Sequence, residues 1–142
     1  MKRLFLLLPI VALISCGGSA PKENPSASKI DQAKTQEVFD RHFKDFKENN
    51  LDGIIADYAE DATLITPNGT YTGLTEIKAN FEQAFKLFPK DSSTYETIQT
   101  VVKNDIAYTI WKCKTPKLEL SFATDTFIIQ DGKIVRQTFA GQ

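Results

Sequence analysis

His42 is the only histidine in the chain, and its spacing places it on an apolar face. Val38, Phe39, His42, Phe43 and Phe46 form one stripe of a helical pattern that starts at Ile30. An imidazole there can take up or release a proton close to neutral pH. Asp125 is the second candidate. It lies in the strand-like run Leu118 to Gln130, where Ala123, Asp125, Phe127 and Ile129 share a face. A carboxylate buried among such neighbours needs a partner. If His42 and Asp125 meet, they can act as a general acid/base pair. The ordinary alternative is structural, with Asp125 satisfying a core histidine. Asp52, Asp57, Glu60 and Asp61 fall on a short helix and the turn after it, where solvated or capping roles are expected.

Two cysteines, Cys16 and Cys113, complete the reactive inventory. Lys2 and Arg3 precede the apolar run Leu4 to Ile14, which is too short to span a bilayer and reads as a signal segment. Leu13-Ile14-Ser15-Cys16 resembles a lipobox, with small residues on both sides of the cysteine. Cys16 is therefore expected to be lipidated, which anchors the protein to a membrane in the bacterial cell envelope. Cys113 is then left without a partner and reads as a small buried hydrophobe. With one histidine and one remaining cysteine no Cys/His cluster can form, so no structural zinc and no cofactor is expected.

Composition sets the outer bounds. A chain of 142 residues with 42% hydrophobic and 25% charged residues suits one globular domain. A net charge of −1 gives no reason to expect nucleic acid, and the lysines between Lys103 and Lys117 are interleaved with acidic residues. Residues 1–16 form the signal segment. Residues 17–29, rich in Ser, Pro, Ala and Gly, read as a disordered tether with a reach of about 20 Å. Residues 30–142 form the domain.

The elements of that domain follow from periodicity. Leu51, Ile54, Ile55 and Tyr58 share a face of a second helix that Asn50 is placed to cap. Ala59-Glu60-Asp61 breaks the pattern, and Ala62 to Thr66 reads as one brief strand ending at Pro67. Leu74, Ile77, Phe81, Ala84, Phe85 and Phe88 mark a third helix, stopped by Pro89. Glu96 to Lys103 and Ile106 to Lys114 flank Asn104-Asp105, and Leu118 to Gln130 and Lys133 to Ala140 flank Asp131-Gly132. Both dipeptides are hairpin signals. Helices first and strands after predict an α+β fold.

The run Leu-Asp-Gly-Ile-Ile-Ala-Asp-Tyr-Ala-Glu-Asp-Ala-Thr from Leu51 to Thr63, with Pro67 and Gly73 following, resembles the SnoaL-like members of the nuclear transport factor 2-like superfamily. The resemblance covers roughly residues 33–142. It implies a cone-shaped curved antiparallel sheet with three N-terminal helices on its concave face. Set against ketosteroid isomerase of the same superfamily, Asp125 matches the acidic oxyanion-hole residue and His42 the tyrosine that partners it. The catalytic aspartate falls on Thr66. Tyr58 and Phe81 match pocket aromatics, and Trp111 is a further candidate for pocket lining whose direction periodicity does not settle. Threonine cannot accept a substrate proton near neutral pH as a carboxylate can, so steroid isomerisation is not expected.

Three readings remain at this level. The first is a lipid-anchored domain binding a small, mostly apolar molecule, with His42 and Asp125 as polar handles. The second is a lyase or isomerase using the same pair. The third is an association module without a ligand. The sheet offers two apolar faces and the helices can cover one, so a homodimer through the other is expected.

Overall fold

The computed structural model describes residues 30–142; Cys16, the signal segment and the tether lie outside the described residues. Three helices and six strands follow one another as α1 (Gln32–Glu48), α2 (Leu51–Asp57), β1 (Tyr58–Thr66), β2 (Gly69–Thr72), α3 (Gly73–Leu87), β3 (Thr94–Lys103), β4 (Ile106–Lys114), β5 (Glu119–Gln130) and β6 (Lys133–Gly141). The strands form one open sheet in the order β2-β1-β6-β5-β4-β3. This is an α+β fold with the helices gathered on one face: α1 packs on β3, β4 and β5, α3 on β1 and β2, and α2 between the two helices.

Local chemistry sets the helix ends. Asp31 caps α1, its side chain accepting from the backbone N–H groups of Ala33 at 3.0 Å and Lys34 at 3.2 Å. Asn49 ends the helix in the left-handed region at φ 53°. Asn50 caps α2 by accepting from Gly53 N–H at 3.2 Å. At the tip of the β5–β6 hairpin, Asp131 (φ 51°) and Gly132 (φ 75°) both take the positive φ that a tight hairpin turn requires.

The sheet differs from the expectation in three respects. Ala59-Glu60-Asp61 does not turn; it belongs to β1, whose pairing with β6 shifts register between Tyr58 and Thr63. An irregularity inside a strand interrupts alternation and looks like a break in sequence. Gly69–Thr72 forms a short edge strand, β2, beyond the Asn68-Gly69 turn. The sheet is also not antiparallel throughout, because β1 runs parallel to β6. That pairing joins the first and last strands among the described residues, which no local signal specifies. Further register shifts in β3–β4, β4–β5 and β5–β6 bend the strands around the helices.

Alternation sends Ala107, Thr109, Trp111 and Cys113 of β4 inward, all of them buried. On the other face Val101, Tyr108, Thr126, Thr138 and Ile65 line up across five strands in direct register. Ile65, Val101 and Ile106 on that face are 48%, 44% and 42% exposed. Among the described residues no helix is long and apolar enough to cross a membrane.

Candidate functional site

Between α1, α3 and the inner face of the sheet lies a cavity of about 740 Å³. Phe46, Phe81, Phe88, Trp111 and Phe139 give it apolar walls, and His42, Asp125 and Gln137 give it a polar floor. Thr66, Pro67, Asn68, Tyr71 and Glu76 from the β1–β2 corner and the start of α3 also line it. An apolar volume of this size with a few convergent polar groups is the usual anatomy of a small-molecule site.

Asp125 is the best-connected polar group of the floor. Trp111 Nε1 donates to its Oδ2 at 2.8 Å, and Gln137 Nε2 donates to its Oδ1 at 2.8 Å. The Gln137 carbonyl oxygen in turn accepts from the Tyr58 hydroxyl. Burial pushes the Asp125 carboxyl up to about 6, against the two hydrogen bonds and nearby His42, which favour its ionised form. The same burial, with Asp125 and then Asp57 close by, raises the Tyr58 phenol well above its ordinary value, so it stays a hydrogen-bond donor.

His42 comes from the buried stripe of α1. Its ring meets Tyr58, Phe127 and Phe81 edge-on at centroid distances of 5.3, 5.4 and 6.0 Å, which fixes its plane. The carboxylate that faces its Nδ1 belongs to Asp57, with Oδ2 at 3.4 Å. Neither of these two atoms has a hydrogen-bond partner within the described residues. Asp57 Oδ1 accepts from Arg41 Nε at 2.8 Å and Nη2 at 2.6 Å. That carboxylate therefore holds the Arg41 guanidinium above its ordinary value. With Nδ1 turned to Asp57, Nε2 is left for the cavity that His42 lines. A histidine whose plane is fixed by aromatic rings, with a buried carboxylate 3.4 Å behind it and its other nitrogen toward the cavity, can position and exchange a proton.

The expected residues thus take different places. His42, Asp125, Thr66, Phe81 and Trp111 all line the cavity. Thr66 sits at its mouth with Oγ1 engaged in the β1–β2 turn, accepting from Asn68 N–H at 3.1 Å. Tyr58, expected as pocket wall, is buried beneath the floor and reaches the site through its hydrogen bond to Gln137 and its ring contacts with His42 and Phe81. Asp57, expected to be solvated or capping, is fully buried and pairs with Arg41 and His42. Gln137 escaped the sequence reading, although its alternation with Phe139 in β6 points it inward. Cys113 is buried, and that burial pushes its thiol up to about 11, which leaves it a poor nucleophile.

Comparison with known proteins agrees with this fold. No curated protein matches the sequence. Among solved structures, a candidate ketosteroid isomerase from Kribbella flavida is 16% identical with a TM-score of 0.67, covering 80% of this chain and 81% of that one. A candidate polyketide cyclase from Sinorhizobium meliloti is 20% identical with a TM-score of 0.63, covering 77% and 98%. A SnoaL-like protein of unknown function from Burkholderia thailandensis is 19% identical with a TM-score of 0.65, covering 80% and 98%. At such identities the likeness shows the fold alone. Residues 39–137 match the SnoaL-like domain, and the chain belongs to that family.

Proposed function

We propose that the domain binds a small, mostly apolar molecule carrying one polar group, held with that group on the His42–Asp125 floor. The cavity of about 740 Å³, apolar on its walls and polar at its base, is the observation that carries this reading. A pocket that only closed a core would be filled by side chains, because protein interiors are close-packed. Mass spectrometry of what co-purifies with the folded protein tests it. A bound organic molecule released on denaturation is the expected result. Protein that is ligand-free and insensitive to added apolar compounds counts against it.

One observation favours a second reading, a lyase or isomerase. Asp57 lies 3.4 Å behind His42 while His42 and Asp125 line the same cavity, so these last two could share acid and base roles on a carbonyl or hydroxylated substrate. Turnover of such a substrate that is lost in His42→Gln would establish it, and unchanged turnover in that variant would remove it. Ketosteroid isomerisation stays outside this proposal, since the base position is Thr66 and its hydroxyl serves the turn.

The setting is proposed from sequence alone. Acylation of Cys16 would hold the domain at a membrane in the cell envelope, and the intact mass of membrane-extracted protein should begin at Cys16 with added acyl mass. A chain beginning elsewhere or lacking acyl mass removes the anchor. Homodimerisation through the exposed face of the sheet would cover Ile65, Val101 and Ile106. Light scattering should then report twice the monomer mass, and a strict monomer at micromolar concentration would contradict it.

A further inference from the structure

We propose that the ligand is an organic amine, bound as its ammonium ion against Asp125 within an aromatic enclosure; this rests on the cavity being a ligand site. Charge is the first observation. The cavity lining contains two carboxylates, Asp125 at the floor and Glu76 at the rim, and no lysine or arginine among the described residues. Arg41 is committed to Asp57 and does not line the cavity. Lys47 Nζ lies 5.1 Å from the Phe43 ring centroid but is not a lining residue either. Asp125 is 5% exposed and takes only neutral donors, the Trp111 indole and the Gln137 amide. His42 is the one lining side chain that could carry a positive charge beside it, and its Nδ1 is turned to Asp57.

The second observation is the wall. Trp111, whose Nε1 holds Asp125, is ringed by Phe46, Phe43, Phe139 and Phe88 at centroid distances of 6.0, 6.1, 6.1 and 6.2 Å. All five line the cavity. Trp111 turns its N–H edge to Asp125, so the rings serve as apolar wall for the hydrocarbon body of a ligand whose charged end meets the carboxylate. An ammonium can donate to a free lone pair of Asp125 while its hydrocarbon body covers these rings, and a charge-assisted hydrogen bond is roughly twice as strong as a neutral one. A carboxylate ligand would bring like charge beside a buried carboxylate, which either excludes it or forces a proton onto one of the pair.

The single tryptophan supplies the readout. The purified full chain is titrated at neutral pH with adamantyl amine, adamantyl alcohol and adamantane carboxylate, which share one hydrocarbon cage, and Trp111 emission is followed. The amine is expected to bind about tenfold more tightly than the alcohol, and the carboxylate more weakly than either. In Asp125→Asn the advantage of the amine over the alcohol should disappear. Should that variant not fold, the ranking of the three compounds on the unsubstituted chain decides alone. An alcohol that binds as tightly as the amine overturns the inference and leaves the pocket reading standing. A carboxylate that binds as tightly as the amine does the same. Binding by none of the three overturns the inference together with the pocket reading.

Discussion

Asp57→Ala is expected to destabilise the domain by about 3 kcal/mol, more than an ordinary surface charge deletion. Asp57 is fully buried and accepts two hydrogen bonds from Arg41, at 2.8 and 2.6 Å. Removing one partner of such a pair leaves the other's charge uncompensated, and that penalty exceeds the net worth of the pair. Arg41 is 43% exposed, so water recovers part of the loss and the lower end of the range applies. His42 Nδ1 also loses the one carboxylate that faces it. Urea unfolding at neutral pH measures the cost, and a loss below about 1 kcal/mol would place the pair with weak surface contacts. Arg41→Met combined with Asp57→Leu should recover much of the stability, since an apolar pair carries no uncompensated charge.

Asp125 should make the domain more stable in mild acid than its other groups alone would. Its carboxyl is held at about 6, above the ordinary 3.8, chiefly by burial. The folded state therefore holds this proton more tightly than the unfolded chain does. The stability this contributes is fully present below 3.8 and is lost as pH rises through about 6. The interval corresponds to about 3 kcal/mol. Asp125→Asn lacks this titration but turns an amide toward one of two donors, so its absolute stability also changes. The informative quantity is the stability difference between parent and variant as a function of pH. It should move by up to about 3 kcal/mol in the variant's favour between pH values of about 4 and 7.5. A difference that stays flat across that window would show that Asp125 titrates as a solvated carboxylate.

Much of the fold could be read from the chain because its local signals agree with one another. The Phe39–His42–Phe46 stripe, the Asn50 cap, Pro89 and the Asp131-Gly132 turn each mark an element that the structure contains. The inward direction of Trp111 was not legible, because Ile106, Tyr108 and Ile110 make the opposite face of β4 equally apolar. Both faces of that strand satisfy the same alternation, and only the packing of α1 against it separates them. Asp57 was missed for a related reason. It lies three positions after Ile54 and so shares its helical face, but a charged residue there reads as the edge of the stripe. Its partner Arg41 stands beside His42 on α1, sixteen residues earlier, and such a pairing carries no sequence period.

Two lining residues of the candidate site were legible, but the contacts they make were not: His42 faces Asp57 and not Asp125. His42 and Asp125 both line one cavity, yet the hydrogen bonds that fix Asp125 come from Trp111 and Gln137. These contacts join β4, β5 and β6, and they depend on the register of a bent sheet. A shift of one residue in either hairpin would turn Trp111 or Gln137 to the opposite face.

The central claim is that a ligand occupies the cavity in contact with His42, and the single histidine makes this directly observable by NMR. The imidazole C–H signals are followed while adamantyl alcohol, a neutral probe, is added to the native chain and to Ala84→Trp, in which an indole projects from α3 into the same space. The account predicts a saturable shift of the His42 signals in the native chain and its loss in Ala84→Trp. His42 signals that do not respond in the native chain, or that respond equally in both proteins, would contradict it.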